Sequence, residues 1–163
     1  PIPISIGKLK GGTWPSSVPD LIEMEGRIGI DPGETMESAE QEMEEWVEKL
    51  AEKDSWFKEN PVTVEWFGAR WLPGEIDADH PFLTTLTENF VGVMGEAPVL
   101  EASPWGTDGG LLTQVGNTPS VVFGPGITDL AHHPNEVIEL ENIIKAAKII
   151  ASTIVDWCEI DEN

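Results

Sequence analysis

The sequence predicts an α/β protein in two parts, with a boundary at about residue 70. In residues 1–70, two segments alternate apolar and polar side chains as strands do, and an amphipathic helix follows them. In residues 71–163, two long helical faces flank a short and wholly apolar run, which is typical of a strand buried on both faces of a parallel sheet. We therefore expect most of a βαββαβ unit, followed by the second half of an α/β domain.

The first part is predicted to form strand, strand, helix and strand. Apolar residues alternate with Pro or Ser over 2–6, which favours an edge strand. Residues 22–30 have period two, so they indicate a strand with one buried face. A 3.6-residue apolar spacing predicts a helix over 36–50 with Thr35 as its N-cap. Its Glu-rich side is interpreted as a solvated surface, and a further strand is expected over 62–67.

The second part is predicted to alternate helices and short strands. We expect, in order, a helix over 81–94 capped by Asp79 or His80, a strand over 99–102, a short helix over 111–115, a strand over 120–123 and a helix over 140–158. Pro at the start and Gly just after the end favour the first of these helices. The apolar stripe of the last helix is predicted to comprise Leu140, Ile143, Ile144, Ala147, Ile150, Ala151, Ile154, Val155 and Cys158.

Charge and composition exclude several classes of protein. Thirty acidic against nine basic residues give a net charge of −21, which would be repelled by nucleic acid and by an anionic membrane. No apolar run is long enough to span a bilayer, and no signal peptide is visible. The single Cys158 excludes an intramolecular disulfide and a zinc–thiolate cluster, and it favours a reducing, cytoplasmic location. Because the chain starts at Pro1, we expect a piece of a longer protein.

Three places have residues suited to chemistry. Gly124-Pro125-Gly126 follows the expected parallel strand, where ligands approach open α/β sheets, although a turn that simply needs glycine explains it equally. His132 and His133 come next; one imidazole is suited to a divalent metal, and two surface or core histidines are the alternative. Arg27 is suited to a carboxylate, but on residue pattern alone a pairing with Glu23 or Glu25 is the better interpretation.

Further segments recur with these places in a characteristic order. They are Gly11-Gly12, Ser17-Val18-Pro19-Asp20, Arg27, Pro32-Gly33-Glu34, His80-Pro81, Gly106-Thr107-Asp108-Gly109-Gly110, Phe123-Gly124-Pro125-Gly126 and Ala131-His132-His133-Pro134-Asn135-Glu136. In that order they resemble the zinc aminoacylase and carboxypeptidase family, which includes acetylornithine deacetylase and succinyl-diaminopimelate desuccinylase. The resemblance covers nearly the whole chain.

The resemblance implies a zinc-exopeptidase-like fold. Residues 71–163 would be the C-terminal part of its catalytic α/β domain. Residues 1–70 would be a partial ferredoxin-like βαββαβ lid, through which the family forms homodimers.

The resemblance also implies an active site with two zinc ions, or cobalt or manganese in their place. His132 would be one ligand, and Arg27, Ser16, Gly124, Pro125 and Gly126 would contact the substrate. Ser16 stands where the family commonly has Asn, and Gly29 holds the spacing usual for the arginine, so Arg27 is displaced by one strand repeat. The general base and the other ligands would lie in an N-terminal half, so the chain by itself is expected to be inactive.

The function implied is metal-dependent hydrolysis of the C–N amide bond of an N-acyl amino acid, a peptide or a related small molecule. No nucleic acid or membrane partner is expected. The alternative is a non-catalytic module for dimerisation or for binding a small molecule.

Overall fold

A computed structural model describes residues 4–103 and 105–159. Its strands are β1 (Ile4–Gly11) and β2 (Ile22–Ile28), and its helices are α1 (Met36–Glu48), α2 (Leu50–Lys53), α3 (Ser55–Glu59), α4 (Pro81–Met94), α5 (Gly109–Gln114) and α6 (Leu140–Cys158). A 3₁₀ turn, Thr128–Leu130, precedes α6. The chain forms two compact units: unit 1 is Pro1–Pro73 with Pro104–Leu111, and unit 2 is Gly74–Ser103 with Leu112–Asn163. Residues 2 and 3 of the first predicted strand lie outside the described residues.

Unit 1 begins with an antiparallel hairpin of β1 and β2. A register shift between Ile6 and Lys8 places one extra residue, Gly7, in β1. Such a bulge inverts the alternation of side chains beyond it. One face of the hairpin is therefore apolar along its whole length, and the other carries the charged residues of both strands.

The apolar face of the hairpin is exposed, so the prediction of one buried strand face is wrong. Exposed residues on it are Ile4, Ile6, Leu9, Ile22 and Met24. The period-two pattern is present as predicted, but no helix of the described residues packs on this face. Burial of a strand face depends on a second layer, which alternation alone does not specify.

Helix α1 begins at a capping box. Thr35 Oγ1 accepts a hydrogen bond from the Ser38 amide, and Ser38 Oγ accepts one from the Thr35 amide, each at 3.1 Å. This confirms Thr35 as the N-cap. Ala39 is the buried residue of the helix, whereas the Glu-rich side is largely exposed as predicted.

The strand predicted over 62–67 is wrong. Trp66 Nε1 in this segment donates to Glu44 Oε1 of α1 at 2.7 Å, and Arg70 pairs with Glu40 one helical turn away. These contacts hold the segment along α1, and no strand of the described residues pairs with it. A β-prone sequence becomes a strand only where a ladder partner is available.

Unit 2 is built on the packing of α4 against α6. Leu83 and Leu86 of α4 are buried, as are Ala146 and Ile149 of α6. A polar contact joins the same two helices: Asn89 Nδ2 of α4 donates to Asp156 Oδ2 of α6 at 2.8 Å. These contacts fix the two helices side by side.

The ends of α4 agree with the prediction. The N-cap is His80, whose Nδ1 accepts from the Phe82 amide at 3.1 Å, and Pro81 occupies the first turn. Gly95 ends the helix in the left-handed conformation, with φ of 80°. The structural interpretation of the His80 segment is therefore confirmed.

The last helix is present as predicted, but its buried side is not the predicted stripe. Ala146, Ile149 and Thr153 are buried, whereas most of the predicted stripe, from Leu140 (76% exposed) to Val155 (46% exposed), faces outward. α6 is apolar on two sides, and α4 covers one of them. Periodicity identifies apolar faces, but the position of a neighbouring element decides which face is buried.

The short strands predicted over 99–102 and 120–123 are also wrong. In the part of the chain that the structure describes, the only sheet is the two-stranded hairpin of unit 1. The short helix expected over 111–115 is present as α5, beginning at Gly109. The chain is thus a mixed α/β protein. None of its described helices is long and apolar enough to cross a bilayer.

Candidate functional site

The loop that links Phe123 to α6 contains the candidate metal ligand of unit 2 and the Gly-Pro-Gly segment that is a candidate for contact with the substrate. The Phe123 ring meets Phe90 of α4 edge-to-face, with centroids 6.4 Å apart. This contact anchors the start of the loop on the buried helix pair. Beyond it lie Gly124-Pro125-Gly126, the 3₁₀ turn and His132.

The two glycines of the Gly-Pro-Gly segment are open to solvent. A Cβ atom built on Gly124 or Gly126 meets no described atom within 4 Å, and neither residue has a left-handed φ. If these glycines served only to form a turn, they would have a backbone conformation or a close contact that other residues do not tolerate. The described fold contains neither, so it gives no internal reason for glycine at these two positions.

His132 lies on the surface in an unusual backbone conformation. Its φ is 66°, in the left-handed region that residues other than glycine rarely occupy. No hydrogen bond is recorded to either of its ring nitrogens from residues 4–103 and 105–159. The neighbouring His133 is also exposed. The imidazole of His132 is therefore sterically and chemically free to bind a ligand.

A metal ion would need more than this histidine. An imidazole nitrogen is suited to zinc, cobalt or manganese, but a catalytic ion takes about three protein ligands. Across the described ranges, no group of three or more His, Cys, Asp or Glu side chains is arranged to hold an ion. The residues present thus fit one ligand of a metal site and do not complete a site.

Arg27 belongs to the charged face of the hairpin in unit 1. It lies opposite Ser5, and it is exposed. The two acidic residues of β2 are taken by lysines of β1: Lys8 Nζ lies 2.7 Å from Glu25 Oε2, and Lys10 Nζ lies 3.6 Å from Glu23 Oε2. The hydrogen bond from Lys8 to Glu25, together with the charge of Glu25, raises the pKa of Lys8.

The expected pairing of Arg27 with Glu23 or Glu25 is therefore wrong. The bulge at Gly7 brings Lys8 and Lys10 opposite the two acids, and a sequence pattern cannot reveal that register. No ion pair of Arg27 is recorded among the described residues, whereas Arg70 is paired with Glu40. The guanidinium of Arg27 on β2 thus forms no ion pair with residues 4–103 or 105–159.

Ser16 lies in the exposed loop between the two strands. The neighbouring Ser17 closes this loop, since its amide and its Oγ both donate to the Trp14 carbonyl at 3.1 and 3.0 Å. Ser16 and Arg27 are in unit 1, and the Gly-Pro-Gly loop and His132 are in unit 2.

Gly106 and Gly110 of the segment Gly106-Thr107-Asp108-Gly109-Gly110 are required by packing. A Cβ atom on Gly106 would collide with the Trp71 ring, and one on Gly110 would collide with the backbone of Leu72 and Pro73. The segment therefore packs closely against residues 71–73, within unit 1. Packing therefore explains two of the five residues of this family segment, Gly106 and Gly110.

An open groove of unit 1 contains none of the candidate residues. It has a volume of about 290 Å³ and is lined by Val47, Glu48, Ala51, Phe57, Lys58, Pro61 and Val62. The sequence interpretation gave no separate role to Glu136, whose Oε2 accepts from the His132 amide at 3.1 Å. An acid four residues after a histidine in a loop was the available signal.

Comparison with known proteins identifies the class to which this chain belongs. Residues 9–156 match the model of peptidase family M20/M25/M40, a family of hydrolases, and the chain belongs to that family. The match includes every candidate residue. No solved structure is significantly similar to the chain.

Three relatives with more specific names are similar to the chain. The chain is 30% identical to the N-formyl-4-amino-5-aminomethyl-2-methylpyrimidine deformylase of Bacillus subtilis (strain 168), over 92% of this chain and 37% of the relative. It is 28% identical to the protein of the same name from Halalkalibacterium halodurans, over 93% and 37%. It is 26% identical to the acetylornithine deacetylase of Vibrio cholerae, over 95% and 38%. The chain therefore spans little more than a third of the length of these relatives.

Proposed function

We propose that this chain is part of a metal-dependent hydrolase that removes an acyl group from the nitrogen of a small molecule. The observation that supports this most is the family match over residues 9–156, which includes His132 and the Gly-Pro-Gly loop. The relatives named above are a deformylase and a deacetylase, so both names describe cleavage of an N-acyl bond.

In this proposal, His132 is one ligand of the metal site, and the other ligands and the general base come from outside the described residues. A divalent ion in such a site supplies Lewis-acid polarisation of the amide carbonyl. The role of this chain is to hold the imidazole of His132 where it can bind the ion. The free ring nitrogens of His132 support that role.

The test of this ligand is a pair of substitutions in the complete protein. His132→Ala should lose metal and nearly all activity, whereas His133→Ala, the matched control, should retain both. Metal content is measured by elemental analysis after dialysis, beside the rate of deacylation. Equal metal content in His132→Ala and wild type would contradict the proposal.

Arg27 is proposed to bind a carboxylate of the substrate that does not react. A guanidinium donates two parallel hydrogen bonds to a carboxylate and stays charged across the working pH range. The absence of a recorded counterion among described residues and the pairing of both nearby acids with lysines support this role. Backbone amides of Gly124, Pro125 and Gly126 cannot all contribute, since proline has no N–H; the two glycines are proposed to contact the acyl or carboxylate oxygens. Ser16 is proposed as a further polar contact.

The relatives make the test of Arg27 informative. Acetylornithine carries a carboxylate, whereas the name of the deformylase substrate contains none. In the complete protein, Arg27→Met should weaken transition-state binding of an N-acyl amino acid by about 2–5 kcal/mol if the ion pair with the substrate is buried. Activity on the matching carboxamide should change little.

Lys10→Met, on the same face of the hairpin, is the matched control for Arg27→Met, because it also removes one cation but leaves Arg27 in place. An equal loss on the acid and on the carboxamide would give Arg27 a structural role. High activity of the wild type on the N-formyl pyrimidine and none on N-acyl amino acids would favour a substrate without a carboxylate.

A second proposal is that residues 1–70 form a lid through which two copies associate. The exposed apolar face of the hairpin supports an association surface. Ile6→Glu, in the middle of this face, should shift a dimer towards monomer in light scattering of the complete protein, and Lys8→Glu on the opposite face is the control. If association is the only function, His132→Ala will leave the measured properties unchanged.

A further inference from the structure

We propose that Glu136 is a positioning residue that holds the backbone of His132 in its left-handed conformation and thereby aims the imidazole. This inference rests on the proposed role of His132 as a ligand. It concerns how the chain itself fixes that ligand, and it follows from the hydrogen bonds of the loop over 127–136.

The loop is folded by successive short-range bonds up to His133. The Leu130 amide donates to the Ile127 carbonyl at 3.0 Å, and the Ala131 amide donates to Thr128 at 3.2 Å. The His133 amide then donates to the Leu130 carbonyl at 3.1 Å. The backbone on both sides of His132 is therefore held by these turn bonds, but none of them uses the His132 amide.

Two residues of this loop adopt a conformation that side chains oppose. His132 has φ of 66° and Asn135 has φ of 64°. Asn and His occupy this region more often than most other side chains do, but for any L-residue it costs free energy relative to the right-handed region. A left-handed His132 therefore requires a local contact that stabilises it.

Glu136 provides that contact. Its Oε2 accepts from the His132 amide at 3.1 Å, and its own amide donates to the His133 carbonyl at 3.2 Å. Glu136 thus binds back to His132 through its side chain and to His133 through its amide, and these two bonds close residues 132–136 into a ring. A carboxylate acceptor makes the hydrogen bond stronger than a neutral one would be.

The direction of the imidazole follows from this ring. The Cβ of a residue points differently in the left-handed and right-handed regions, so a change of φ at His132 would swing its side chain away. Metal ligands are commonly held by a neighbouring hydrogen bond, and loss of that support lowers metal affinity about 10- to 100-fold. Glu136 acts here on the backbone of the ligand.

The experiment compares Glu136→Gln and Glu136→Ala in the complete protein. The Gln side chain keeps an oxygen that accepts the His132 amide, while Ala removes the acceptor. Glu139, a nearby acid whose side chain makes no capping bond, supplies the control variant Glu139→Ala. Three readouts are taken: hydrogen exchange of the His132 amide, zinc affinity by competition with a chelator, and melting temperature.

We expect Glu136→Ala to accelerate exchange of the His132 amide about tenfold or more and to weaken zinc binding about 10- to 100-fold. Glu136→Gln should restore most of both, and Glu139→Ala should resemble wild type. The proposal is overturned if Glu136→Ala leaves the exchange unchanged. It is equally overturned if Glu136→Gln loses as much zinc affinity as Glu136→Ala, since the charge would then be what matters.

His132→Ala separates this inference from the proposed function. If it loses zinc while Glu136→Ala binds zinc normally, His132 remains a ligand and the positioning role fails. If His132→Ala keeps its full zinc content, the ligand role itself fails, and the positioning role fails with it.

Discussion

Two glycine-containing loops of this chain differ in how the fold uses their glycines. In Gly106–Gly110 of unit 1, a side chain at Gly106 or Gly110 would occupy the space of Trp71, Leu72 or Pro73. In Gly124–Gly126 of unit 2, a side chain at either glycine would meet no described atom within 4 Å. The first loop therefore needs glycine for packing, and the second does not.

This difference separates a structural from a functional reason for similar sequences. Both loops belong to the segments that resemble the family, and composition does not distinguish them. Where packing accounts for a glycine, no ligand needs to be invoked. Where the fold leaves the space open, close approach of a substrate to the backbone is the explanation to test.

The largest effect is expected for Gly110→Ala. Its methyl group would overlap the backbone of Leu72 and Pro73, and backbone cannot move as a flexible side chain can. We expect the free energy of unfolding to fall by about 1–3 kcal/mol or more. Chemical denaturation measures it, with Gly124→Ala as the control. Equal stability of the two variants would remove the distinction between the loops.

A smaller loss is expected for Gly106→Ala. The obstacle here is the ring of Trp71, which is 50% exposed and can rotate away. We expect the low end of the overpacking range, about 1 kcal/mol, together with a shift of tryptophan emission. If Gly106→Ala lowers the free energy of unfolding more than Gly110→Ala does, then the Trp71 ring cannot rotate away as expected.

The substitutions Gly124→Ala and Gly126→Ala are expected to change stability by no more than about 0.5 kcal/mol. In the complete protein they should raise KM or lower kcat, because the added methyl would lie where the substrate is proposed to approach. Denaturation and steady-state kinetics test the two statements separately. Unchanged kinetics in both variants would leave the loop without a demonstrated function.

The smallest effect on stability is expected for a substitution at Glu141 of α6, which forms an exposed ion pair with Lys145. A hydrogen bond from Lys145 and its positive charge lower the pKa of this carboxyl. Its contribution is present above the unfolded pKa and is lost as the pH falls through the folded pKa. Glu141→Gln should therefore match wild type in acid and be slightly less stable at neutral pH, as thermal melts at both pH values would reveal. A difference that persists in acid would have another cause.

Elements specified by neighbouring residues were predicted correctly. Thr35 caps α1, Pro81 and Gly95 delimit α4, and the last helix ends at Cys158. Each signal acts within a few residues of its effect, through a hydrogen bond to a free amide or through an allowed φ. His132 was chosen through the family resemblance, and its role as a metal ligand stays a prediction.

Features that depend on distant residues were not predictable in this way. Residues 62–67 and 120–123 have strand-like composition, but in the described chain neither has a ladder partner. The pairing of Glu23 and Glu25 with lysines and not with Arg27 depends on Gly7, whose bulge turns Lys8 and Lys10 towards the acids of the other strand. The link from Glu136 to His132 depends on the backbone conformation of the loop.

The sequence by itself indicated the family and predicted α1, α4, α5 and α6, because those rest on residue type, order and short-range spacing. It also named the candidate site residues, whose roles stay predictions. Only the tertiary structure decided which face of α6 is buried, which of two similar glycine loops is filled by its own fold, and which basic residues pair with Glu23 and Glu25. Each of these outcomes depends on what lies across space from a residue, and that neighbour is set by packing and strand register.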